Sequence, residues 1–428
     1  MTFTRGKLII SGASVSFLLV YASTVFVFFS LTGDRLNRAG LLLAVVLFVL
    51  NLRSKTIYRT IPSLFMALTA LALLVLSGNR GLRGFGAPIG HAYKFVYVFL
   101  IITISCIVSG YDQERKRRVV MLSLITFAIT CVLSLFYVFT VSVFAIRYAG
   151  DLTPVYGLET TVSSFPLVAK FGQCYAAPLL LGCLTVLWMR AKHLKSRCSI
   201  ILKLCFVVFL LFTGFSLLTS AMLLSVVGLL MAWLICIYTE KNYKLAGVVL
   251  LFVIAVSLMV IFRQQVSDAL YRITEPLNWV IKDRLRYVFD KLLGTAHNFS
   301  EYAHEDRDYL VACSWNSFIS HPILGVGYSR FGYGVIGSHH EWVDLLGTFG
   351  LVGVIGFLCV FGGYAIGLYK RIDSRTDRLA FLVCSFLFAI LGFLNPCLSP
   401  SILFVLLVVA PNISSVLVDK RQISAGLY

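Results

Sequence analysis

The chain has 428 residues, 59% of them hydrophobic and only 13% charged, with a formal net charge of +18. Soluble proteins carry roughly 25% charged residues, and a water-soluble fold has no means of hiding this much apolar surface. The basic balance does not point to nucleic acid either, because Lys and Arg fall in short clusters between apolar runs rather than in one basic domain.

In chain order the apolar runs cover about 8–31, 39–52, 60–77, 91–110, 118–143, 173–189, 203–219, 221–238, 245–262, 342–369, 379–395 and 400–418. Crossing a hydrocarbon core of roughly 30 Å takes about 20 apolar residues, and in lipid such segments have to be helices. The first run follows Arg5 and Lys7 but is too long for a signal peptide and has no small-residue cleavage site, so it reads as a retained helix. The pattern predicts an all-α, polytopic helix bundle of about twelve spans, one transmembrane domain over 1–428.

Orientation follows from charge. With the N-terminus cytoplasmic, alternate connections collect Arg53, Lys55 and Arg59, then Arg115, Lys116, Arg117 and Arg118, and later Lys370, Arg371, Arg375 and Arg378. Short basic connections belong on the cytoplasmic side. Both termini then lie inside, and two long segments, 144–172 and 263–341, lie outside. Within the longer one, Pro276–Leu293 spaces its apolar residues as a helix capping the bundle or lying on the membrane face would. The eleven cysteines sit mostly in apolar runs without a C-x-x-C pair, which reads as small buried hydrophobes rather than a disulfide or zinc framework.

The outer segments hold many cations, among them Arg147, Lys170, Arg263, Arg272, Lys282, Arg284, Arg286, Lys291, Arg307 and Arg330. Such residues are usually kept out of translocated loops, so their excess points to an anionic partner, with Arg suited to grip phosphate bidentately. Pairing with Asp268, Asp283, Asp290 and Glu301 is the plainer reading for any one of them. The sharpest local signal is Ser338-His339-His340-Glu341-Trp342-Val343-Asp344 at the mouth of a span. A histidine there suits a general base near neutral pH, although metal binding or a plain interface would use the same residues.

From His339, nine residues after His340 lead to Gly350-x-x-Gly353, a spacing that resembles the H-[NSQ]-x9-G-x-x-[GTY] motif of the bacterial O-antigen ligase and O-antigen polymerase superfamily. Upstream, Arg307 through His321-Pro322-Ile323-Leu324-Gly325-Val326-Gly327 looks like that family's Arg-led segment ending in hPlxGxG. The chain departs from the pattern in having His at 340, and in lacking an arginine at the Thr219-Ser220-Ala221-Met222 turn, where many members carry one.

The resemblance implies a GT-C-like glycosyltransferase of the bacterial inner membrane, its active site periplasmic, inverting, and without cofactor or metal. It implies an undecaprenyl-diphosphate-linked oligosaccharide as donor. The acceptor would be a second lipid-linked repeat for a polymerase, or lipid A–core for a ligase. His339 and Arg307 are the expected catalytic residues, with Arg147, Lys170, Arg330, His340, Glu341 and Asp344 expected at the substrate. A chain-length regulator and a flippase are expected partners alongside membrane lipids. The missing arginine leans the reading towards polymerase. A transporter of lipid-linked glycan, which would place ionisable groups at mid-membrane depth or show repeated halves, is the remaining alternative.

Overall fold

Every regular segment among the described residues is helical, the form in which a chain this apolar keeps its backbone polar groups paired without water. The computed structural model describes residues 12–28, 34–78, 90–140, 169, 171–190, 197–216, 218–239, 263–275, 282, 286, 305–326, 336 and 340–417.

The helices are α1 (Gly12–Phe28), α2 (Asp34–Leu50), α3 (Ile61–Gly78), α4 (Gly90–Ser109), α5 (Gln113–Thr140), α6 (Phe171–Arg190), α7 (Arg197–Phe215), α8 (Thr219–Thr239), α9 (Arg263–Thr274), α10 (Glu305–Ser320), α11 (Glu341–Phe357), α12 (Gly363–Arg371), α13 (Arg375–Leu394) and α14 (Pro400–Phe404). A π turn (Leu358–Gly362) joins α11 to α12. Behind α14 the helix continues as a π turn (Val405–Val409) and a 3₁₀ stretch (Ala410–Leu417). Five helical runs among the described residues are long and apolar enough to cross a membrane: Gln113–Thr140, Gly172–Arg190, Glu341–Arg371, Arg375–Leu394 and Pro400–Leu417. Shorter apolar helices cover most of the other segments read from the sequence, while 245–262 lies outside the described residues.

Hydroxyls inside these helices do not compete with the fold. Thr103, Ser123, Thr130, Ser134 and Thr213 each donate to the carbonyl four residues back, which satisfies them where no water reaches. At the centre, α6 packs on α7, α8 and α13. Glycines permit that closeness: a Cβ on Gly228 of α8 would meet Leu387 Cδ1 at 2.9 Å and Pro178 O at 3.5 Å. The 400–417 run is almost wholly buried. It is tied in by Ser105 Oγ donating to Leu407 O at 2.6 Å, and by Ser414, whose N–H and hydroxyl donate to Asp377 at 2.6 Å each.

Two details differ from the sequence reading. The cluster Arg115–Arg118 lies on the first turns of α5 rather than in a connection, where Glu114 pairs with Arg117 and Arg118 and the helix outruns its apolar stretch. The 342–369 run is also not one straight helix. It breaks at Gly350, whose φ of 61° and ψ of −168° are non-helical. The ring centroids of Trp342 and Phe357 lie 6.3 Å apart, whereas fifteen residues of straight helix would separate their Cα atoms by about 22 Å. Residues 341–349 therefore fold back as an arm beside a helix that restarts at Leu351. Trp342 seals the arm against α13, donating its indole N–H to Ala389 O at 2.9 Å, and a Cβ on Gly392 would overlap its ring.

Candidate functional site

The break in α11 is made by two glycines that meet backbone to backbone. After α10 the chain turns through His321–Gly325, with Gly325 N–H donating to His321 O at 2.8 Å, and Gly325, like Gly350, has a positive φ, 66°. Leu351 and Val352 lose their helical acceptors at the break, and their N–H groups donate instead to Pro322 O at 2.9 Å and Ile323 O at 3.1 Å. Val326 N–H donates to Gly347 O at 3.0 Å. A Cβ on Gly325 would stand 2.5 Å from Thr348 O, and one on Gly350 would stand 2.5 Å from Gly325 N, so no other residue fits at either place. The two sequence motifs, Pro322-x-x-Gly325 and Gly350-x-x-Gly353, are thus one physical object, a clasp between the α10 turn and the break. Gly353 completes it, because a Cβ there would overlap Phe349.

The arm is anchored by its two acids. Its helix starts at His340, an extended N-cap with φ −132°, and Glu341 and Asp344 lie in the first turn, where the helix dipole favours negative charge. Asp344 is buried and accepts from Ser314 Oγ at 2.6 Å and from the His340 N–H at 3.2 Å. This bridges α10 to the arm beside Gly347, where a Cβ would approach Ser314 O to 2.7 Å. Glu341 is fully buried: Oε1 accepts from Lys94 Nζ of α4 at 2.7 Å, and Oε2 from the N–H groups of Cys397 at 2.9 Å and Leu398 at 3.2 Å. One ammonium and two amides from distant segments thus compensate a charge that would be costly alone.

The turn after α13 continues this polar ground. Asn395 Nδ2 donates to Ser220 Oγ at 3.0 Å, and Tyr175 OH lies 3.1 Å from the same oxygen. Asn395 is buried and its Oδ1 has no hydrogen-bond partner among the described residues. The Thr219–Met222 turn is therefore a neutral knot joining α6, α8 and the 395–398 turn, which in turn holds Glu341.

Residues 204–358 match the O-antigen ligase family model. The matched stretch runs from α7 to the arm and beyond the break, and supports the resemblance to the O-antigen ligase and polymerase superfamily. It takes in Ser220, α10, the clasp, Glu341 and Asp344. Lys94, Asn395, Cys397 and Leu398 come from outside it. No curated protein and no solved structure matches the chain.

Of the residues expected at an O-antigen ligase or polymerase site, Glu341 and Asp344 are internal, with their described contacts made to the protein itself, and His340 is half-buried at the arm's start. The α10 backbone carries Arg307 near its beginning, and its side chain lies outside the described residues, as do His339, Arg147, Lys170 and Arg330. Among the cations of the long segment, Lys282 donates to Glu275 at 3.1 Å. Arg286 pairs with Glu275 as well, with its guanidinium 4.5 Å from the Tyr271 ring centroid. Hydrogen bonds from Arg286 and then Lys282 hold the Glu275 carboxyl below the usual range. These two cations share one acid, which the sequence reading had not paired with them. Sequence reasoning also missed Lys94. Its signal was present, since it is the one charged residue in the 91–110 run, and a charge inside a span asks for a partner.

Proposed function

We propose that the chain is a membrane glycosyltransferase that joins undecaprenyl-diphosphate-linked oligosaccharide repeat units, a polymerase working at the periplasmic face of the bacterial inner membrane. The observation that supports the glycosyltransferase part of this reading is the match over 204–358, which brackets the clasp and the arm that begins after His340. In this reading the chain crosses the membrane about twelve times in a GT-C-like bundle with both termini cytoplasmic. His339 takes the proton of, or orients, an acceptor sugar hydroxyl for attack at the donor's anomeric carbon, and a single displacement inverts that centre. Arg307, with Arg147, Lys170 or Arg330, stabilises the charge left on the departing diphosphate, so that arginine replaces a metal ion. His340 flanks the acceptor.

Glu341 and Asp344 serve in this mechanism by position. A general base works only within hydrogen-bond reach of its proton, about 2.6–3.2 Å, and the residue after His340 is held on three sides by Lys94, Cys397 and Leu398. Lys94 is thus a positioning residue acting through Glu341.

A second reading is a ligase that transfers the lipid-linked glycan to lipid A–core, and the description of the matching family, O-antigen ligase, favours it. The polymerase reading draws on the 219–222 turn, which has no arginine and whose Ser220 hydroxyl is engaged by Asn395 and Tyr175. The lipopolysaccharide banding of a deletion strain separates the two. Loss of a polymerase leaves core bearing one repeat, whereas loss of a ligase leaves bare core and accumulated lipid-linked polymer.

A further inference from the structure

The turn of the clasp carries large apolar side chains that nothing in the described structure covers. Ile323 is 65% exposed and Leu324 68%, and one turn back on α10 Ile319 is 59% exposed. Their height is fixed by the clasp, because Pro322 and Ile323 accept the N–H groups of Leu351 and Val352. Those two residues open the helix that runs to Arg371, and they are themselves 46% and 56% exposed. The exposed apolar face continues below them through Ile355 and Leu358.

That helix sets the scale. From Leu351 to Arg371 it rises about 30 Å, the thickness of a hydrocarbon core, with Lys370 and Arg371 at its far end. Leu351 then stands at the edge of the hydrocarbon, and the medium against Leu351 and Val352 is the medium against Ile323 and Leu324. The exposed side of α10 is divided accordingly. Trp315 and Ile319 lie about 40° apart on one flank, and Asn316 and Ser320 are exposed on the other. A helix resting in a membrane interface has this division, with Trp at headgroup height.

We propose that the His321–Gly325 turn and the Trp315–Ile319 flank of α10 insert into the leaflet at the Gly350 end of the span, against the acyl chains of bilayer lipid. α10 is then an interfacial helix rather than part of a loop standing clear in water. The clasp carries that anchorage to the arm that begins at Glu341. The inference rests on the chain being an integral membrane protein and not on glycosyl transfer, so it fails or stands apart from the activity.

The test uses the full chain in native membranes opened so that reagent reaches both sides. Leu324→Cys and Asn316→Cys are compared, against the parent chain, for reaction with a charged, membrane-impermeant maleimide. Asn316→Cys should react at least tenfold faster, with Leu324→Cys reacting only after denaturation in SDS. A photoreactive benzoylphenylalanine placed at 324, and in a second variant at 323, should cross-link to phospholipid. Equal labelling of the two cysteines would overturn the proposal, and so would cross-links from 323 and 324 to this chain or to another protein in place of lipid.

Discussion

Glu341 is buried at the start of an arm with Lys94 as its single charged partner in the described contacts, and breaking such a pair from one side leaves the other charge stranded. Lys94→Met should cost about 3 kcal/mol of stability, read as a lower unfolding temperature in detergent, and Lys94→Met/Glu341→Gln should recover most of it. If the pair positions the arm, Lys94→Met should lower the maximal transfer rate far more than it weakens donor saturation, and Lys94→Arg should restore part of the rate. A rise confined to the donor KM would make Lys94 a donor contact. Arg307→Lys should lose most transfer despite keeping its charge, because a diphosphate gripped by a planar fork is not equally served by a point charge; full activity in initial-rate assays would reduce Arg307 to general electrostatics. The sequence singled out Glu341 and Asp344 through their neighbourhood to His339. It could not show what they touch, since Lys94 lies 247 positions away and Cys397 lies 56. A carboxylate beside a motif looks the same whether it faces substrate or a helix partner.

At the scale of elements, the clasp decides the geometry, and it was only half legible. Both motifs stood in the sequence, and so did the run that follows them, but hydropathy averages over a window and does not register a positive φ. The 342–369 run therefore read as one span where the chain has an arm and a restarted helix. Gly350→Ala and Gly325→Ala each combine a left-handed backbone with a Cβ pressed on backbone atoms that cannot move aside. Each should cost more than about 3 kcal/mol and be seen as lost folded protein in size-exclusion profiles. Gly356 is the internal control, a helical glycine with nothing within 4 Å of its would-be Cβ. Gly356→Ala should be neutral or stabilise by up to about 1 kcal/mol. Similar losses at all three positions would mean that glycine here reflects helix flexibility rather than the clasp.

Across the whole molecule, the helical class and most segment positions follow from the length of the apolar runs, since lipid leaves the backbone no other choice. Cysteine usage was legible for the same reason: the described cysteines are buried, apart from Cys359. Convergence of α4, α6, α8, α13 and the arm was not legible, because it depends on contacts between residues far apart in sequence. Arginine in place of a metal ion predicts that transfer persists in excess EDTA, and activity that returns only with added Mg²⁺ or Mn²⁺ would overturn that part of the mechanism. The most direct measurement is transfer by the purified full-length chain reconstituted with undecaprenyl-diphosphate-linked repeat units alone. The account predicts lipid-linked products longer by whole repeats, abolished by His339→Ala in protein that still folds and inserts, and reduced less by His340→Ala. No elongation by the intact chain, or elongation undiminished in His339→Ala, would contradict it.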